Sequence, residues 1–179
     1  MQNEYFRGVK TVAKVLKDFF LIKYPALKVK IILPGQKVIL SNTSDLQIIF
    51  ESRGQSDLSN VNTTNYANLP IEKISKLIIE KYAINFIAYT NDTDGTNIAY
   101  IIRNIITGAF NTQKALYEFQ LNQIRVPYIG NVDDISSVEG AENLVRLQLE
   151  IQIFQAITIT STAEYYDDFS NIPTFKIIS

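Results

Sequence analysis

The sequence predicts an α+β fold, a mixed and mostly antiparallel sheet flanked by helices, with long strands that protrude as a hairpin. Two observations predict it. Runs rich in Ile, Val and Tyr alternate with period two over much of the chain, whereas helical periodicity is confined to the N-terminus and one central region. The 179 residues are 46% hydrophobic and 20% charged, enough for one filled core. We therefore expect a single domain over residues 1–179, with a sheet-plus-two-helix core at 38–160 and a C-terminal tail at 161–179.

The first element is an amphipathic helix over residues 4–20. One face is predicted to be apolar and the other basic. The apolar set is Tyr5, Val9, Val12, Ala13, Leu16, Phe19 and Phe20, and the basic set is Arg7, Lys10, Lys14 and Lys17. Residues 1–37 carry eight basic and two acidic side chains, and the remainder is acidic. This asymmetry suits nucleic acid or the stacking of copies, although a solvated helix face explains it equally well.

Strand signals follow the helix. The sequence "KVKIILPGQKVIL" reads as two β-branched runs around a turn at Pro34 and Gly35, and "LQIIFESR" (46–53) reads as a strand. Residues 54–68 are polar and are predicted to form a mobile loop. Residues 71–90 favour one long strand that closes a hairpin with 46–53, the alternative being a short helix after Pro70.

The central region predicts two tightly joined helices. An isoleucine stripe with helical spacing marks the first, and Asn111-Thr112 offers the cap of the second, in which Ala115, Leu116 and Phe119 are expected to point inward. The stripe consists of Ile98, Ile101, Ile102, Ile105, Ile106 and Ala109. A short strand at Ile124–Ile129 and an acidic turn at Asp133-Asp134 complete this region.

The stretch "LVRLQLEIQIFQAITIT" (144–160) predicts one unusually long strand. Seventeen extended residues reach roughly 55 Å, whereas a compact domain of this length spans only about 40 Å. The alternation of apolar and polar residues changes at Phe154-Gln155, which predicts a β-bulge there. The distal half is apolar on one side and ends in an aromatic and acidic cluster, so we expect another chain to cover it. The alternative is a strand that coils around its own sheet.

Candidate chemistry is scarce in this sequence. It has no Cys and no His, which excludes disulfides, Cys/His zinc sites, thiolate nucleophiles and imidazole catalysis. In "TNDTDGT", a calcium loop starting at Thr90 would need a glutamate where Ile101 stands, so helix capping explains the motif better. The pairs Asp133/Asp134 and Asp167/Asp168 are neighbours that diverge on an extended chain. We expect no enzyme activity, cofactor or metal.

The N-terminus does not predict a signal peptide, because Lys10, Lys14 and Lys17 interrupt any apolar region. The apolar run 19–22 is too short to cross a bilayer. We therefore expect a soluble protein without a membrane partner.

The order of elements resembles that of the neck or tail terminator proteins of long-tailed bacteriophages. The resemblance rests on the N-terminal helix, the strand pair, "YAINFIAYTND" leading into a capped helix pair, "IRVPYIGNVDDIS", and the long strand opening at Arg146. It covers most of the chain beyond residue 40. The stretches 23–42 and 54–70 fall outside it.

The resemblance implies a structural virion protein of the neck, assembled in the host cytoplasm. Six copies would form a ring that caps the tail tube and joins it to the head-to-tail connector, and DNA would pass through the lumen without sequence-specific binding. The expected subunit and ring contacts are Arg7, Lys10, Lys14, Lys17, Phe154, Ile157, Ile159, Tyr165, Tyr166, Asp167 and Asp168. The alternatives are another phage tail completion, connector or tube component, or a small carboxylate-dependent enzyme or ligand-binding domain.

Overall fold

The computed structural model describes residues 6–38, 45–57, 62–65, 71–89, 94–136 and 144–162. Three helices and six strands lie within these ranges. They are α1 (Arg7–Lys23), β1 (Val29–Ile32), β2 (Leu46–Asp57), β3 (Asn62–Asn65), β4 (Ile71–Tyr89), α2 (Asp94–Ala109), α3 (Gln113–Leu121), β5 (Ile124–Asp134) and β6 (Leu144–Thr162). This is the predicted α+β fold.

All six strands belong to one sheet, in the order β1-β2-β4-β6-β5, with β3 also paired to β4. β1 runs parallel to β2, and the other pairs are antiparallel. β4 and β6 form the longest pair, which runs without a register shift from Tyr89↔Leu144 to Ile71↔Thr162. The two long strands predicted from the sequence are therefore central neighbours in the sheet.

The main core lies between one face of the sheet and the three helices. Inward side chains of β2, β4 and β6, such as Phe50, Phe86 and Leu149, pack with α1 residues including Leu16 and with Ile106 of α2. The periodic apolar stripes explain why α1 and α2 bury one face each. The Thr112 hydroxyl begins α3 by accepting a hydrogen bond from the Ala115 amide at 3.2 Å, as the sequence predicted.

The opposite face of the sheet carries a small apolar cluster and a polar row. The cluster consists of Ile32, Ile49 and Ile87. Beside it the Gln148 amide donates to Asn85 Oδ1 at 3.0 Å across the β4–β6 pair. This hydrogen bond satisfies the side-chain oxygen of Asn85, which is fully buried, whereas Asn85 Nδ2 has no hydrogen-bond partner among the described residues.

Two sequence predictions about strand boundaries are wrong. Residues 54–68 were predicted to form a loop, yet β2 continues to Asp57 and β3 occupies Asn62–Asn65, both paired with β4. β5 likewise continues through Asp133 and Asp134. Main-chain pairing with β4 outweighs the weak strand propensity of the polar segments 54–57 and 62–65, and main-chain pairing with β6 extends β5 in the same way.

Two predictions about side-chain direction are also wrong. No bulge occurs at Phe154-Gln155, because Gln155 stays in phase with Ile153 and Ile157 and is buried. In α3, Leu116 is 54% exposed, whereas Glu118 is 9% exposed and takes an inward position. The buried polar side chains of Gln155 and Glu118 each bind a residue of α1, Gly8 and Lys14 respectively.

Candidate assembly surface

The most distinctive feature of the molecule is a β arm. We define it as residues 71–80 of β4, residues 153–162 of β6, and the segments 54–57 and 62–65 that pair with β4. At 19 residues each, β4 and β6 reach about 60 Å. Among the side chains that the structure describes, the main core cluster extends along them to Tyr82 and Ile153, and Ile78 and Ile157 are buried just beyond it. The arm therefore continues the sheet past the main core cluster.

The N-terminus of α1 is hydrogen-bonded to β6 at the base of the arm. The Gly8 amide, at the start of the helix, donates to Gln155 Oε1 at 3.0 Å. The Arg7 guanidinium donates to the Ala156 carbonyl at 2.5 Å. A first-turn amide and a strand carbonyl are thereby satisfied by the same junction. Gln155 is buried because a helix end supplies the donor that its side-chain oxygen needs.

The N-terminus of α1 lies so close to β4 and β6 that residue 8 must be a glycine. A Cβ atom at that position would lie 2.8 Å from Ile153 Cγ2, 3.1 Å from Gln155 Oε1 and 3.2 Å from Glu80 Oε2. The first distance is shorter than a carbon–carbon contact allows. The absence of a side chain is what permits the helix to lie directly on β4 and β6.

A carboxyl group lies beneath this helix end. Glu80 is 7% exposed, and its Oε2 atom has no hydrogen-bond partner. Burial raises the pKa of Glu80 to about 7, although a hydrogen bond from the Tyr82 hydroxyl opposes the rise. Burial and the adjacent carboxylate together raise the pKa of Tyr82. The base of the arm therefore contains an acid that changes charge near neutral pH.

The basic face of α1 is divided among different neighbours. Lys14 Nζ lies 2.8 Å from Glu118 Oε1 of α3, and this hydrogen bond raises the pKa of Lys14. In the same interface Lys114 Nζ of α3 lies 2.8 Å from Asp18 Oδ2 of α1. Lys10 and Lys17 are exposed. The two reciprocal ion pairs orient α1 against α3 and are half in solvent, where each contributes little to stability.

The structure places the predicted interface residues in three environments. Arg7 and Ile157 lie at the base of the arm, and Ile157 is 5% exposed within its own subunit. Phe154 is half-buried on the opposite face of the sheet from Gln155. The backbone of Ile159 lies in β6. The predictions for Tyr165, Tyr166, Asp167 and Asp168 lie outside the described residues.

Sequence reasoning missed Gly8, Glu80 and Gln155. A signal for the two polar residues was present, since each occupies an inward position between apolar inward neighbours. Glu80 precedes Tyr82 and Ile84 in phase, and Gln155 follows Ile153. A polar side chain at such a position requires a buried partner. The partner of Gln155 is the amide of Gly8, 147 positions away in the sequence, and no local pattern identifies it.

Exposed apolar side chains cluster at the ends of α1 and α3. Leu21 and Ile22 are at least 60% exposed at the end of α1, as are Tyr117 and Leu121 on α3. A groove lined by Val15, Phe19 and Ala115 runs between the same helices. This surface is a second region where a partner would bury apolar area.

The described residues contain no group of three or more acidic side chains placed to hold a metal ion. In the same ranges, no helix is both long and apolar enough to cross a membrane. No protein-family model matches the chain, and no curated protein sequence matches it.

Proposed function

We propose that this protein is a structural subunit of a bacteriophage neck, a tail terminator. Six copies form a ring that caps the tail tube, and the ring joins the tube to the head-to-tail connector while DNA passes through the lumen. The virion is then its site of action. The resemblance in element order, from the N-terminal helix to the long final strand, is the starting point for this proposal.

The single observation that supports it most is the β arm. Its strands continue past the core cluster that anchors β4 and β6. A strand edge binds other chains through main-chain hydrogen bonds, and alternating side chains set the register. A protein whose task is to be held between neighbouring copies and rings has a use for such an arm, and no chemical step is needed.

The oligomeric state of the purified full-length chain tests the proposal. Light scattering coupled to size-exclusion chromatography is expected to give six times the 20.3 kDa of one chain, and negative-stain electron microscopy is expected to show rings with an open centre. Adding the ring to polymerising tail tube protein from the same virus should stop tube growth. A chain that stays monomeric and leaves tube length unchanged would contradict the proposal.

A further inference from the structure

The described edges of the sheet differ in how they are protected against further strands. β5 contains Pro127 and two register shifts, each with one extra residue. β2 has a register shift between Ser52 and Gly54, after which Gly54 to Asp57 pair with β4 in regular register. Bulges and proline hinder the pairing of a further strand at the residues where they occur. The end of β6 has neither, because residues 156–162 keep a regular register with β4 and include no charge and no proline.

The geometry identifies which main-chain groups of β6 point away from β4. Near the start of β6, the Arg146 carbonyl accepts from the Ile135 amide at 2.9 Å, and the Arg146 amide donates to Ser136 Oγ at 2.9 Å. Both groups point to the β5 side. Because the β4–β6 register is unbroken, every second residue after Arg146 has the same direction. Thr158, Thr160 and Thr162 therefore direct their amides and carbonyls away from β4.

The pairing of β5 with β6 begins at Ile124↔Gln155, so β5 does not reach these threonines. The next residue of β6 whose main-chain groups point away from β4 is Ala156, and its carbonyl accepts a hydrogen bond from Arg7. No other described strand lies along residues 158–162 on this side. We call this segment the open edge.

The opposite side of the arm is formed by β2. Gln55 and Asp57 pair with Glu80 and Ile78 of β4, whose main-chain groups point toward β6, so these two β2 residues direct theirs outward. β1 covers β2 only from Leu46 to Ile49. β2 and β6 run in the same direction, since each is antiparallel to β4. The arm thus has two different edges with parallel strands.

We propose that the open edge of one subunit binds the outer edge of β2, near residues 55–57, of a second copy as a parallel strand. This inference rests on the proposed function and names the contact that would build its ring. Two different edges on opposite sides of one arm form a heterologous contact, which repeats from copy to copy and closes when the rotation permits. The open edge carries no charge, so Arg53 and Asp57 of the neighbour meet no like charge there.

Proline at residue 160 tests the open edge in the full-length chain. Thr160→Pro removes one outward amide without removing a bond to β4, as proline at an edge strand allows. We expect association measured by sedimentation to weaken about tenfold or more. One intersubunit hydrogen bond is lost, and the pyrrolidine ring of the proline obstructs the strand of the second copy. Thr160→Val is the matched control, since it keeps the amide and should assemble as the wild type does. Circular dichroism checks that both variants fold.

Gln55→Pro tests the partner edge by the same logic. It should weaken assembly as Thr160→Pro does, with Gln55→Thr as its control. Normal assembly of Gln55→Pro beside a defective Thr160→Pro would show that β2 is not the partner strand.

Other outcomes separate the two proposals. Rings of unchanged strength in Thr160→Pro would overturn the open edge and leave the terminator proposal standing. If the wild type forms open filaments and Thr160→Pro abolishes them, the open-edge contact is supported and the proposal of a hexameric ring is overturned. Slow hydrogen exchange at the amides of Thr158 and Thr160 in a dilute monomer would overturn the edge, because the subunit itself would then cover it.

Discussion

At the scale of single residues, the base of the arm is set by groups that have few alternatives. Gly8 leaves room for a helix end, Gln155 accepts its amide, and Glu80 is buried beside them. A buried carboxyl with an unpaired oxygen costs stability when it is ionised. The free energy of unfolding should therefore depend on pH through the ionisation of Glu80.

Glu80→Gln should change that dependence. The pKa of Glu80 is about 7 in the folded protein and 4.5 ordinarily, so the folded state retains a proton that the unfolded state releases. The contribution of Glu80 to the free energy of unfolding falls as pH rises from 4.5 to 7 and is constant outside this window. The variant should lose this slope and gain about 1 to 3 kcal/mol at pH 8. Chemical denaturation at several pH values measures both, and an unchanged slope would contradict the assignment.

At the scale of elements, α1 determines how the arm leaves the core. Its Arg7 and Gly8 bind β6, and Lys14 and Asp18 bind α3, so one helix joins the arm to the helical layer. The apolar stripe of α1 was readable from the sequence. The seating of its first turn depends on a contact that only the folded chain brings together.

Two glycine substitutions test the seating of α1. Gly8→Ala forces a Cβ to within 2.8 Å of Ile153 Cγ2, and this overpacking should destabilise the protein by about 1 to 3 kcal/mol despite the better helix propensity of alanine. Gly108→Ala in α2 is the control, since its Cβ would meet no atom within 4 Å. It should be neutral or stabilise by up to about 1 kcal/mol. Thermal denaturation compares the two, and equal effects would argue against a tight junction.

At the scale of the whole molecule, the folded core and the arm separate along the sheet. The main core cluster draws on α1, α2, α3 and the inward faces of the strands up to Ile153. The open edge begins five residues later, at Thr158, and stays within β6. Folding and assembly should therefore depend on different parts of β6.

A chain ending at residue 162 tests this separation. Its described core is complete, so it should unfold cooperatively with near-native secondary structure by circular dichroism. Since it also keeps the open edge and β2, it should still self-associate. Loss of cooperative unfolding would show that residues 163–179 belong to the core, and retained folding without association would place the subunit contact in those residues.

The sequence by itself determined the fold class, the three helices, the two long strands, their hairpin partner and the Thr112 cap, because these depend on periodicity and local hydrogen bonding. The tertiary structure decided where β2 and β3 end, that Gln155 causes no bulge, and that Glu118 rather than Leu116 points inward. It also decided which strand edge is left open. Each of these outcomes depends on a partner distant in sequence, such as β4 for the polar strands, Gly8 for Gln155 and Lys14 for Glu118. Local sequence patterns do not identify such partners, because residues distant in sequence come into contact only when the chain folds.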